Sequence, residues 1–178
     1  EGCSMKDLQP QSPYAETKLK EEQYVKSLDS SRGFQSVILR FGTIYGVSPG
    51  MRFHTAVNKF CWQSVMGQPL TVWETAYEQK RPYLHLGDAV KAICFFIDRQ
   101  VSSGEIYNVL SGNHTVRDVV ETIKDFVPDV QVKFVRSKIM NQLSYEVSRK
   151  KMEGIGFSFN GVLGDGIKDT IELLSSAN

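Results

Sequence analysis

The stretch Val37-Ile38-Leu39-Arg40-Phe41-Gly42-Thr43 decides how this chain folds. Its apolar run is continuous rather than alternating, which suits a parallel strand buried on both faces. We read that strand from Phe34 to Phe41, followed by a loop from Gly42 to Gly50 rich in turn residues. Upstream, Ser12 and Pro13 suit the N-cap and first turn of a helix. That helix runs from Tyr14 to Leu28, with Glu16–Lys20 and Glu22–Lys26 as i,i+4 pairs, and stops at Ser30-Ser31-Arg32-Gly33.

The same logic extends downstream. Thr55 to Met66 reads as a helix with Val57, Phe60, Cys61 and Val65 largely on one side, ended by Gly67. Short strands are expected at Leu70–Trp73, Tyr83–Leu86 and Glu105–Val109, with a polar loop over Glu74–Lys80 and a turn at Ser111-Gly112-Asn113. Asp88 is placed as cap of a helix Ala89–Arg99, and Thr115 with Asp118 as a capping pair for a helix Val116–Phe126. Val130–Val135 alternates like an edge strand. A short helix follows Ser148, and Ile167–Leu174 forms the last one.

Strands alternating with helices imply an α/β fold with mainly parallel pairing. A strand buried on both faces needs neighbours on both sides. The chain after residue 41 offers few, so the missing partners are expected upstream of Glu1. The chain reads as the C-terminal half of a larger polypeptide.

A net charge of +1 gives no electrostatic case for nucleic acid or an anionic membrane. The longest apolar run, Ala92 to Ile97, is far too short to span a bilayer. Cys3, Cys61 and Cys94 are widely spaced without a CxxC, which argues against a disulfide framework or a zinc site. A reducing cytoplasm is the expected location.

Tyr14 and Lys18 are four residues apart and share one helix face. A phenol with a pKa near ~10 is a poor base at neutral pH. A lysine ammonium one turn away favours the phenolate. Such a pair can move a proton to or from a substrate hydroxyl during hydride transfer with a nicotinamide cofactor. Chance alone supplies about half such a pair in a chain of this composition, so the spacing is weak by itself.

Its surroundings carry more weight. The chain continues with Leu39-Arg40-Phe41-Gly42-Thr43-Ile44-Tyr45-Gly46, then Gly67-Gln68-Pro69-Leu70 and Arg81-Pro82-Tyr83-Leu84-His85-Leu86-Gly87-Asp88. Tyr107-Asn108-Val109-Leu110-Ser111-Gly112 and Ser144-Tyr145-Glu146-Val147-Ser148 follow. In this order and spacing the chain resembles the extended short-chain dehydrogenase/reductase family, specifically the NAD-dependent sugar-nucleotide epimerases and dehydratases. The resemblance runs from about Ser12 to the C-terminus.

The resemblance implies a fold made of the C-terminal part of a Rossmann-like parallel sheet plus a smaller mixed α/β substrate-binding domain. Residues 1–50 would end the dinucleotide-binding domain. Residues 51–178 would be mainly substrate-binding, with some segments returning to the first domain. Tyr14 is implied as the catalytic acid/base, and Lys18 as the residue that holds the nicotinamide ribose and tunes it. Phe41, Gly42 and Thr43 would lie beside the nicotinamide of NAD or NADP, at the carboxyl end of a parallel strand. Asn58 would contact the nucleotide-sugar, and Arg81 would grip its diphosphate through a planar fork. The family's dimers imply pairing through the Tyr14–Leu28 helix.

Other residues have plainer readings. His85 is expected as a packed, hydrogen-bonded histidine, His54 and His114 as surface residues, and Trp62 and Trp73 as core. There are also departures from the family pattern. The glycine-rich phosphate loop and the acidic residue that reads the adenosine ribose are absent. Pro82 stands where Asp is common, and Leu143 where an arginine would help bind the diphosphate. The isolated chain is therefore expected to be inactive, within an enzyme that epimerises, dehydrates or reduces a nucleotide-sugar by hydride transfer. The alternative is a non-catalytic module that binds a nucleotide-sugar or presents a surface to another protein.

Overall fold

A computed structural model of the chain describes residues 10, 12–32, 35–99, 104–136 and 144–177. Cys3 and Leu143 lie outside them. The order is α1 (Pro13–Arg32), β1 (Ile38–Phe41), β2 (Thr43–Tyr45), α2 (Ala56–Val65), β3 (Leu70–Trp73), β4 (Lys80–His85) and α3 (Leu86–Arg99). It continues with β5 (Ile106–Val109), β6 (Gly112–Thr115), α4 (Val116–Phe126), β7 (Val132–Val135), α5 (Lys150–Gly154) and α6 (Leu163–Ser176).

Ser12 starts α1 as its sequence suggests: its Oγ accepts the Ala15 N–H at 3.1 Å, and its carbonyl accepts the Glu16 N–H at 3.0 Å. β1 is parallel as expected and pairs with β5, Ile38 opposite Ile106 and Phe41 opposite Val109, but it begins at Ile38 and is half-buried with Phe41 exposed, rather than buried on both faces. Gly42 then acts as a pivot. Its N–H still bonds the Val109 carbonyl at 2.9 Å, but the next three residues leave β5 and pair parallel with β4. Gly42 is required there by close approach, since a Cβ would sit 3.0 Å from the Pro82 carbonyl oxygen.

Two expectations are corrected here. The loop expected over Gly42–Gly50 opens with a strand, β2, too short to carry a periodic signal. The turn expected at Ser111-Gly112-Asn113 is the entry to β6, which pairs antiparallel with β4, Asn113 opposite Pro82. Gly-Asn-His-Thr has turn composition, and only the distant partner makes it a strand. A third sheet joins β3 to β7 in parallel.

Two hydrophobic clusters hold these sheets. Around β1 and β5, Leu84, Tyr107, Val109, Met152 and Phe157 pack with Ala89, Ala92 and Phe96 of α3, and Val37 and Leu39 pack against them. The other joins Val57, Phe60 and Cys61 of α2 to Leu70, Val72, Val119, Val120, Ile123 and Ile167. Each fully buried Val, Leu or Ile contributes roughly 1.5–3 kcal/mol over exposure. Thr115 and Asp118 form the expected reciprocal capping box of α4.

Asp88 is not the cap of α3, which begins at Leu86. It is buried in the first turn, where its carboxylate accepts the Ser111 hydroxyl at 2.6 Å and the Asn160 and Gly161 N–H groups, each at 2.9 Å. A buried carboxylate persists because it is bonded on several sides. His85 is packed as expected, its ring edge-on to Tyr45 at 5.4 Å and its Nδ1 accepting the Gly87 N–H. His114, expected at the surface, is half-buried 6.2 Å from the Tyr83 ring.

Candidate functional site

Tyr14 stands in the first turn of α1 with 72% of its surface exposed. Lys18 follows one turn later, its Nζ 5.7 Å from the centre of the Tyr14 ring. That Nζ also donates to Glu21 Oε2 at 2.7 Å, and the bond and charge of Glu21 raise the Lys18 pKa. Lower on the same helix, Glu22 takes a two-pronged bond from Arg40, which lays α1 against β1.

This docking brings Tyr14 to the carboxyl end of β1. Tyr14, Phe41, Gly42, Thr43 and Asn58 line one open cleft of about 420 Å³. Phe41 presents a partly exposed ring there. Asn58 is 4% exposed and already engaged. Its Oδ1 accepts the Gly46 N–H at 3.3 Å and its Nδ2 donates to the Arg52 carbonyl at 3.2 Å, which ties the 46–52 turn to α2. Lys18 is beside Tyr14 but not among the cleft's lining residues.

Arg81 lines a second cleft of about 430 Å³, and Thr43, His54 and Thr55 border both. Lys59 joins Arg81 there, and among the described residues no Asp or Glu lines it. The first residue of α2, Ala56, faces the same space, so the positive end of a helix adds to two cations. Arg81 donates from Nη2 to Gln79 Oε1 at 3.0 Å and from Nη1 to the Lys80 carbonyl at 3.1 Å. The arrangement favours an anion at the Arg81 end and a proton donor or acceptor at the Tyr14 end.

Two buried hydroxyls at these clefts, Tyr45 Oη and Thr55 Oγ1, have no hydrogen-bond partner among the described residues. Burial drives the Tyr45 phenol well above its ordinary range, with Asp88 and Asp165 pushing the same way. Thr55 holds the N-cap position of α2 yet makes no side-chain cap bond. Its hydroxyl is buried behind the wall that the two clefts share and stays unsatisfied there.

Sequence reasoning passed over Thr55 and Lys59 and read Trp73 as core. Trp73, expected in the core, is 46% exposed and lines the Arg81 cleft. It ends β3, where alternation puts every second side chain outward, so its position in the strand carried a signal. Among the described residues, no group of three or more His, Cys, Asp or Glu side chains is placed to hold a metal, and no helix is long and apolar enough to cross a membrane.

Comparison with known proteins gives this geometry a context. The model of the NAD dependent epimerase/dehydratase family matches residues 1–109. An uncharacterised UDP-glucose epimerase of Bacillus subtilis (strain 168) is 30% identical over 175 residues, 95% of this chain and 54% of that protein. The dTDP-D-glucose 4,6-dehydratase of Bos taurus is 27% identical over 92% of this chain and 48% of its own length. Among solved structures, the Thermus thermophilus UDP-glucose 4-epimerase in complex with NAD superposes with a TM-score of 0.80 and 25% identity. The superposition takes in 100% of this chain and 59% of that one. The chain thus spans about half the length of the curated relatives it matches.

Proposed function

The chain belongs to the NAD-dependent epimerase/dehydratase family, and from that premise we propose that it forms the substrate-facing half of a sugar-nucleotide epimerase or dehydratase. One observation carries the reading. The cleft with Tyr14, Phe41, Gly42, Thr43 and Asn58 shares Thr43, His54 and Thr55 with the cleft that holds Arg81. A nucleotide-sugar needs those two environments side by side, a proton-transfer group at the sugar and cations at the diphosphate.

Tyr14 is the acid/base toward a sugar hydroxyl. Lys18, a cation one helical turn from Tyr14, supports the phenolate and binds the ribose of the cofactor. Phe41, Gly42 and Thr43 give the nicotinamide ring an apolar wall and a backbone approach without side-chain bulk. NAD, when bound, supplies the acceptor and donor of hydride. Arg81 and Lys59 hold the diphosphate. Asn58 acts mainly by fixing the 46–52 turn that walls the sugar site.

The cluster around β1 and β5 belongs, on this reading, to the dinucleotide-binding domain, and the cluster around α2, α4 and α6 to the substrate domain. Turnover needs the dinucleotide site as well, so the chain alone binds substrate without converting it. Pairing of two copies through α1 is part of the same proposal. It is supported by the exposure of Tyr24 on that helix.

Calorimetric titration with UDP-glucose tests the reading. We expect saturable binding by the chain and at least a tenfold loss in Arg81→Ala. Absence of binding, or an unchanged affinity in Arg81→Ala, would sink it.

A further inference from the structure

We propose that Tyr145 is a positioning residue for Arg81, presenting the guanidinium to the phosphate-binding end of the cleft; this rests on the substrate reading above. The Arg81 Cζ lies 5.0 Å from the centre of the Tyr145 ring, within range of a cation–π contact. A long arginine at a cleft wall has many rotamers, and a ligand that needs one of them must order it. Here the guanidinium is bounded before any ligand arrives. Gln79 and the Lys80 carbonyl take two of its edges, and the Tyr145 ring covers a face.

The ring is itself held in register. The segment from Ser144 to Ser148 has no regular secondary structure, yet it is laced to β4 and β6 residue by residue. The Lys80 N–H donates to Ser144 Oγ at 2.9 Å, and the Tyr145 N–H to the Lys80 carbonyl at 3.3 Å. Asn113 exchanges two bonds of 3.0 Å with the Val147 backbone, and Glu146 pairs with Lys80. Half of the Tyr145 surface remains exposed, so core packing does not account for this fixation. A backbone strap that aims one half-exposed ring at one cleft arginine is explained by what the arginine does.

A double-mutant cycle read by UDP-glucose titration tests this. Tyr145→Leu is expected to weaken binding about three- to fivefold, the scale of an exposed cation–π contact. Tyr145→Gln should match it, and Tyr145→Phe, which keeps the ring face, should stay within about twofold of wild type. In an Arg81→Ala background Tyr145→Leu should have no further effect. Equal losses in both backgrounds, or a loss in Tyr145→Phe as large as in Tyr145→Leu, would overturn the proposal while leaving the substrate reading standing. Unchanged affinity in Tyr145→Leu would do the same. No binding by the wild-type chain would fail the substrate reading itself, and this proposal with it.

Discussion

Arg40 and Glu22 meet through two parallel bonds, Nε to Oε1 at 2.8 Å and Nη2 to Oε2 at 2.6 Å. They fasten the helix that bears Tyr14 to the strand that ends at Phe41. Both side chains are largely screened from water, at 27% and 15% exposure, so this pair is of a stronger kind than an open surface bridge. Glu22→Ala should lower the unfolding free energy by about 1–3 kcal/mol in urea titration. Glu16→Ala on the exposed face of the same helix should stay within about 0.5 kcal/mol. Equal effects would show that the pair is not what docks α1.

Tyr14→Phe removes only the hydroxyl. In a polypeptide that joins this chain to a dinucleotide-binding half, turnover should fall about 10²- to 10⁴-fold, the scale of a lost acid/base group. Cofactor fluorescence on binding should persist, because the ring and Lys18 are untouched. A variant that keeps wild-type turnover would remove Tyr14 from the chemistry.

What the sequence made legible was local. The parallel strand β1, though not its burial, the capping box at Thr115 and Asp118, and the ends of β3 and α4 follow from neighbours within a few residues. What it hid was non-local. β6 exists because β4 lies beside it, and Asp88 is a buried acceptor because residues 111, 160 and 161 converge on it. The site divides the same way. Tyr14, Phe41, Gly42, Thr43 and Arg81 stand in recognisable phrases. Trp73 lines the Arg81 cleft and Tyr145 meets Arg81 only through the company that distant segments bring them. Thr55 looked like an ordinary helix start, and only its unused oxygen marks it out.

Gly42 and Gly50 flank the same segment and should behave oppositely. A Cβ on Gly42 meets the Pro82 and Tyr83 backbones at 3.0–3.3 Å, and neither can rotate away. Gly42→Ala should therefore cost about 1–3 kcal/mol and move β2 off β4. A Cβ on Gly50 meets nothing within 4 Å, so Gly50→Ala should be neutral or stabilise by up to about 1 kcal/mol through the unfolded chain. Thermal melts of the two variants decide it, and the pivot argument fails if Gly42→Ala melts with wild type.

His114 gives the fold an acid-side weakness. Burial against Tyr83 lowers its pKa, and the nearby Asp118 carboxylate only partly opposes that. In the unfolded chain the imidazole titrates near ~6.5. As pH falls through that value the unfolded state takes up a proton that the folded state still refuses. Stability therefore drops, and this contribution levels off only below the depressed folded pKa. Well above that value both states hold the ring neutral and the contribution vanishes. His114→Gln keeps a polar side chain of similar reach without that proton. Its melting temperature relative to wild type should rise as pH is lowered from about 7.5 to about 5.5, whatever the offset at the upper end. A difference that stays constant across the series would mean that His114 takes up its proton equally well in the folded protein.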